Sequence, residues 1–67
     1  MMVSVNGQDR ELPAGTTVAR LLEELKIAPE RVVVEVNLTI LKRAQQPTMI
    51  LAEGDQVEIV HFVGGGS

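Results

Sequence analysis

Alternating apolar and polar residues at the amino end predict a β-hairpin. Within residues 1–5, Val3 and Val5 share one face of a predicted first strand, and Ser4 lies on the other face. Asn6-Gly7 then has the composition of a type I′ turn, which requires positive φ at both central positions. The returning strand, residues 8–12, is polar. We therefore expect it to be solvated on one face or to lie near a sheet edge.

A change from a period of two to a helical period marks one amphipathic helix. Thr16 or Thr17 is suited to cap it, because a hydroxyl accepts a hydrogen bond from the first turn. Glu23 and Lys26 are spaced to pair on its polar side. The predicted helix covers residues 17–26 and ends before the next proline. Its apolar positions fall at i, i+3, i+4 and i+7, which are Val18, Leu21, Leu22 and Leu25.

The second half of the chain returns to the strand pattern. Four valines within residues 32–36 predict a strand covered on at least one side. A polar, irregular stretch is expected at 42–47. Residues 48–51 form a short apolar stretch, which is a candidate for a further strand. The other expected elements are a turn at 37–39, a short return at 40–41, a turn at 53–55 and a last strand at 56–63.

This order of elements predicts an α+β fold with a mixed sheet of four to five strands. A single helix cannot enclose a core, so it must cover one face of the sheet and leave the other open. We expect the last strand to lie beside the first. The predicted core comprises the four apolar helix positions together with Val32 or Val34 and Val57 or Ile59.

Composition restricts the function more than it identifies it. Nine acidic and six basic residues give a formal charge of −3, and the single aromatic residue is Phe62, which argues against nucleic-acid binding. The 67 residues contain no cysteine and a single histidine, His61, which disfavours a zinc site or a thiol nucleophile. No apolar run is long enough to span a membrane, and no signal peptide is evident, so we expect a cytoplasmic protein.

The carboxyl end is the most unusual segment of the sequence. Three glycines follow the last predicted strand and precede Ser67. We predict a folded domain over residues 1–63 and a flexible glycine tail over 64–67, because glycine loses the most chain entropy on ordering. Such a tail is idle, or a linker introduced in cloning, or shaped to enter a narrow slot in a partner.

Several short motifs are specific in their joint order and spacing. They are Val5-Asn6-Gly7, Thr17-Val18 with Leu21-Leu22, Val34 to Asn37, Ile40, Arg43, the run Glu53 to Ile59, and Val63 to Gly66. Taken together, these motifs resemble the ThiS family of thiamine-biosynthesis sulfur carriers, which are ubiquitin-like β-grasp proteins. The likeness covers nearly the whole chain.

The resemblance implies a reaction cycle in which the chain is a substrate without a cofactor. An E1-like enzyme would adenylate the carboxylate of Gly66, and a sulfur donor such as a cysteine desulfurase would convert it to a thiocarboxylate. Thiazole synthase would then take the sulfur. Gly64 and Gly65 would thread a slot too narrow for side chains. Ser67 departs from the family ending: it is trimmed to expose Gly66, which we favour, or was added in cloning, or is itself used.

Partner contacts are expected beside this tail. If the helix covers the face of Val57 and Ile59, then Val60 and Phe62 point to the open face. Val60, Phe62 and Val63 are therefore the predicted partner surface, although Phe62 could instead cap the core. His61 is interpreted as structural or partner-facing. Glu35 and Glu58 do not form an evident acid/base pair, since nothing in the sequence brings them together.

Two other functions fit the same pattern. One is a carrier of the molybdopterin-synthase small-subunit type, which also ends in Gly-Gly. The other is a ubiquitin-like module that binds without covalent chemistry and has an inert tail. Neither alternative requires the chain to be an enzyme, and no residue has the activating base that a nucleophile needs.

Overall fold

The computed structural model describes residues 1–62, which form a five-stranded mixed sheet with one α-helix on one face. Short 3₁₀ turns occupy Pro29–Arg31 and Arg43–Gln45. The strands are β1 (Met2–Val5), β2 (Gln8–Glu11), β3 (Val32–Val36), β4 (Thr39–Leu41) and β5 (Gln56–His61), and the helix is α1 (Val18–Glu24).

The last strand occupies the centre of the sheet. The spatial order is β2-β1-β5-β3-β4, with β1 and β5 parallel and the other neighbours antiparallel. The prediction that the last strand lies beside the first is therefore confirmed. All four residues of β2 are exposed, as expected for a polar edge strand. This topology places the end of β5 at one end of the sheet, beside the start of β3.

Helix α1 is shorter than predicted. Thr17 caps it, with its hydroxyl oxygen 3.1 Å from the N–H of Arg20, and the helix ends at Glu24. Lys26 follows with a φ of 60°, so the predicted pairing of Lys26 with Glu23 does not form. Arg20 instead pairs with Glu23 at 3.2 Å and Glu24 at 3.0 Å. These exposed pairs contribute little to stability.

The segment between β4 and β5 forms hydrogen bonds with the first residues of α1. Carbonyl oxygens of Met49 and Gln46 accept hydrogen bonds from the N–H groups of Val18 and Ala19, each at 3.0 Å. These N–H groups have no partner within a helix, and the segment satisfies them. No strand forms at 48–51; only an isolated bridge joins Ile50 to Thr17. Gln46, expected in a polar irregular stretch, is buried.

The core lies between α1 and one face of the sheet. Of the predicted helix positions three are fully buried, whereas Leu25 at the C-cap is partly buried. The strand residues predicted as alternatives for the core, Val32 or Val34 and Val57 or Ile59, are all buried. Strand β1 contributes two further valines. The buried apolar residues are Val3, Val5, Val18, Leu21, Leu22, Val32, Val34, Val36, Leu51, Val57 and Ile59.

The β3–β4 hairpin turns on two residues instead of three. Asn37 and Leu38 have φ values of 51° and 70°, which is the left-handed combination of a type I′ turn. As a result Thr39 begins β4 and does not belong to the turn. Leu38 is the most exposed large apolar residue described, at 86%.

Candidate functional site

The two faces of β5 separate core residues from candidate partner residues. Val57 and Ile59 point toward the helix and are buried, as predicted. Val60 and Phe62 are 54% and 50% exposed. Phe62 thus lies outside the buried core, just beyond the end of the strand at His61. Its role in binding a partner stays a prediction.

Strand pairing assembles an apolar patch around these two side chains. Val60 lies directly opposite Val33, which is partly buried, and Ile40 on β4 follows on the same face with 63% of its surface exposed. The N–H of Phe62 donates to the carbonyl of Arg31 at 3.2 Å, which holds this residue against the start of β3. We call Val33, Ile40, Val60 and Phe62 the open-face patch.

Two carboxylates lie beside the open-face patch. Glu35 and Glu58 are direct cross-strand neighbours, so the expectation that nothing brings them together is wrong. The strand register, which the sequence does not state, places them there. Within residues 1–62, neither carboxylate takes part in a hydrogen bond or an ion pair. Glu58 is exposed and Glu35 is partly exposed on the open face, so the arrangement is that of a charged surface.

Sequence reasoning missed the side-chain roles of two asparagines. The sequence predicts Asn6 and Asn37 only as turn residues, and both have positive φ. The Asn6 side chain also hydrogen-bonds to Ile59 in β5. The Asn37 side chain hydrogen-bonds to Gln56, the first residue of β5, and to Asp55, which precedes that strand. The available signal was an asparagine at the turn immediately after an apolar strand, since this short amide can hydrogen-bond like a backbone group.

His61 ends β5 opposite Val32 and is exposed. In the part of the chain that the structure describes, no cluster of three or more histidine, cysteine or acidic residues could hold a metal ion. That same part has no helix long and apolar enough to cross a membrane. The predicted partner residue Val63 and the tail residues Gly64, Gly65, Gly66 and Ser67 lie outside the described residues.

Similarity to known proteins covers the described fold and continues into the residues that follow it in the sequence. The ThiS family model matches residues 3–66. The sulfur carrier protein ThiS of Bacillus subtilis is 36% identical, with 97% of this chain aligned to 100% of that protein. A crystal structure of a thiamine biosynthesis protein, ThiS, from Geobacter metallireducens superposes with a TM-score of 0.85. It is 36% identical and covers 98% of this chain and 100% of its own.

A longer protein contains a segment of the same kind. A thiazole synthase of Magnetococcus marinus is 44% identical over 66 residues, which make up 98% of this chain. The chain spans only 20% of the length of that protein. The similarity therefore concerns one part of the longer protein.

Proposed function

The chain belongs to the ThiS family, and we propose from this premise that it carries sulfur for thiamine biosynthesis as a thiocarboxylate on Gly66. The observation that carries the proposal is the family match over residues 3–66, which includes both the folded domain and the three glycines. The agreement of the fold with a ThiS structure over 98% of the chain supports it.

In the proposed chemistry the chain supplies the carboxylate that reacts and needs no catalytic residue of its own. A carboxylate is a poor electrophile, so an E1-like enzyme first joins it to AMP from ATP and releases pyrophosphate. The outer sulfur of a persulfide on a donor such as a cysteine desulfurase attacks the acyl carbon, and AMP leaves, which gives an acyl disulfide. A thiol then attacks the donor's sulfur and forms a new disulfide with the donor, so that the S–S bond breaks and the other sulfur stays on the acyl carbon. The thiocarboxylate on Gly66 is the product. Throughout this cycle the chain is a substrate and the enzymes supply the catalytic groups.

Thiazole synthase is the proposed acceptor of the sulfur. A protein that bears this name contains a segment 44% identical to this chain. Joining a carrier and its acceptor in one polypeptide raises their effective concentration. By analogy, we expect this chain to meet a separate thiazole synthase directly. We expect all of these steps to occur in the cytoplasm.

The domain and the tail have separate tasks in this proposal. Residues 1–63 provide the docking surface, with Val60, Phe62 and Val63 nearest the tail. Residues 64–67 extend into the active sites of the partners. Gly64 and Gly65 lack a Cβ, so this segment can pass through a slot that excludes side chains. Removal of Ser67 would expose the carboxylate of Gly66.

Mass spectrometry tests the central step. A chain that ends at Gly66 is incubated with ATP, the organism's E1-like enzyme, a cysteine desulfurase with cysteine, and a thiol reductant, and the masses of the intact chain and of its fragments are measured. We expect an increase equal to the replacement of one oxygen by sulfur, located on Gly66. A chain that ends at residue 63 is the control. An unchanged mass of the form that ends at Gly66 would contradict the proposal and favour a module that binds without covalent chemistry.

Alanine at position 65 tests the stated reason for the glycines. Gly65→Ala adds one methyl group in the segment that would thread the slot. We expect pyrophosphate release to fall at least about tenfold, equivalent to ~1.4 kcal/mol in the transition state, while the melting temperature is unchanged. Gly65→Ala and the unsubstituted control are both made to end at Gly66, so that trimming of Ser67 does not limit either rate. Equal rates for Gly65→Ala and wild type would show that the tail is not selected by its shape.

The length of the tail decides the role of Ser67. A form ending at Gly66 should release pyrophosphate at once, whereas the full chain should react only after trimming. If both forms react equally and carry sulfur on their own last residue, Ser67 is not an obstacle and the case for trimming is lost.

A further inference from the structure

Two asparagines bracket the central strand. Asn6 follows β1 with a φ of 50°, and Asn37 follows β3 with a φ of 51°. The main-chain N–H of Asn6 donates to the carbonyl of Val57 at 2.9 Å, and that of Asn37 donates to the carbonyl of Gln56 at 2.8 Å. The two residues thus have the same chemistry and backbone conformation at neighbouring strand ends.

The Asn6 side chain extends the sheet beyond the end of β1. Its Oδ1 accepts a hydrogen bond from the N–H of Ile59 at 2.7 Å, and its Nδ2 donates to the carbonyl of the same residue at 3.2 Å. The side-chain amide therefore takes the place of a backbone residue in a strand. We call these two bonds the Asn6 clamp.

The Asn37 side chain acts at the opposite end of β5. Its Oδ1 accepts from the N–H of Gln56 at 3.0 Å, and its Nδ2 donates to Oδ1 of Asp55 at 3.0 Å. Gln56 is the first residue of β5, whereas Ile59 is near its last residue, His61. One asparagine therefore holds the beginning of the strand, and the other holds the part nearest the tail.

Past the Asn6 clamp, β5 has support from one side only. Within residues 1–62, no hydrogen bond beyond Ile59 joins β5 to the side of β1. On the side of β3, pairing continues through His61, and the N–H of Phe62 donates to Arg31. A strand end paired on one edge opens more easily than one paired on both. Within residues 1–62, the clamp is therefore the last contact that holds β5 on the side of β1.

We propose that Asn6 is a positioning residue for the reaction of the tail. By holding Ile59, it supports the end of β5, where Val60 and Phe62 are exposed on the open face. This inference rests on the proposed function. Without the clamp, Ile59 loses its partner on the side of β1, so β3 alone holds the end of β5. That end opens more often, and the partner must order it at the cost of chain entropy.

Glycine at each asparagine gives a matched test. Asn6→Gly and Asn37→Gly both tolerate positive φ, both retain the main-chain hydrogen bond to β5, and both remove two side-chain bonds. Amide hydrogen exchange is measured in each variant, with the N–H of Leu22 in α1 as the internal reference. In Asn6→Gly we expect faster exchange at Ile59, whose N–H loses its acceptor, and at Phe62, whose hydrogen bond to Arg31 opens more often. The increase should be about tenfold, because ordering one residue costs roughly 1–2 kcal/mol. Asn37→Gly should leave them unchanged.

Pyrophosphate release by the E1-like enzyme, measured with wild type and variants that all end at Gly66, connects the clamp to the reaction. We expect kcat/KM to fall about tenfold for Asn6→Gly and less than about twofold for Asn37→Gly, with the loss mainly in KM because docking must order the strand end. A general loss of stability would affect both variants equally. Equal values of kcat/KM, or unchanged exchange at Phe62 in Asn6→Gly, would overturn the inference.

An aspartate variant keeps the test decisive if Asn6→Gly does not fold. Asn6→Asp retains the acceptor for the N–H of Ile59 and loses the donor to its carbonyl, so it should show a smaller change in both measurements. Wild-type values of both would overturn the inference. If the wild type itself releases no pyrophosphate, the proposed function fails and the role of Asn6 in it fails too. An active wild type with equal loss in both glycine variants would reject the inference alone.

Discussion

The two faces of the sheet differ in what their apolar residues do. Adjacent residues of β5 show the contrast: Ile59 is 6% exposed beneath α1, whereas Val60 is 54% exposed on the other side. Both are branched apolar residues in the same strand, so neither strand propensity nor hydrophobicity distinguishes them. Their difference arises because one helix can cover only one face.

This difference separates stability from recognition. On the covered face, buried leucines and valines remove apolar surface from water, and this burial stabilises the fold. On the open face, Val60, Ile40 and Phe62 retain half or more of their exposure. They contribute less to stability and are available to a partner. Substitutions on the two faces should therefore affect different measurements.

The largest effect on stability is expected at Leu22, which is fully buried. Leu22→Ala should lower the free energy of unfolding by roughly 2–5 kcal/mol, because it removes a core side chain and leaves a cavity. Chemical denaturation measures this change. Ile40→Ala on the open face is the control and should cost less than about 1 kcal/mol. Similar losses for both variants would show that the two faces are not energetically distinct.

A smaller effect on stability and a larger one on binding are expected at Phe62. Because half of its surface is already exposed, Phe62→Ala should cost about 1 kcal/mol or less in stability. Binding to the E1-like enzyme or to thiazole synthase should weaken by at least about tenfold if Phe62 is an aromatic contact of the interface. Calorimetric titration measures the affinity.

Leu38 provides the control for this binding prediction. It is an exposed apolar residue in the β3–β4 turn, at the end of the sheet opposite the end of β5. Leu38→Ala should leave the affinity unchanged. Equal weakening by both variants would mean that exposure alone, and not position near the tail, determines the effect. A cooperative loss of structure in Phe62→Ala, with unchanged binding by the folded fraction, would assign Phe62 to the core.

A still smaller effect is expected for the facing carboxylates of Glu35 and Glu58. Like charges directly opposite in a sheet are unfavourable, so Glu58→Gln should raise stability by about 0.2–1 kcal/mol. The gain should be lost near 1 M salt, where the screening length is about 3 Å. Asp9→Asn removes the same charge opposite Ser4 and should have little effect. A gain unaffected by salt would rule out charge repulsion as its cause.

The smallest effect on stability is expected from removing the tail. Removing residues 64–67 deletes three glycines and one serine. Their side chains carry almost no apolar surface, so stability should change by less than about 0.5 kcal/mol. Thermal denaturation of the shortened chain measures this. A larger loss would show that the tail contributes to the folded domain.

Local patterns predicted most of the secondary structure. The period-two valines, the i, i+3, i+4 and i+7 positions of α1 and the Asn6-Gly7 turn are properties of neighbouring residues, and each formed where expected within a few positions. The order of elements also implied one helix over one sheet face. The glycine tail and its resemblance to a carrier family were visible in the sequence, while the roles of Gly64, Gly65 and Gly66 remain predictions.

Tertiary structure decided what depends on residues distant in the sequence. The stretch at 42–51 lacks a clear period because its carbonyls satisfy the start of α1, and this partner lies more than twenty residues away. Glu35 and Glu58 became neighbours through the register of β3 and β5. Asn6 reached Ile59 because β1 and β5 are parallel and adjacent. Register and strand adjacency arise from packing of the whole chain, so local periodicity does not specify them.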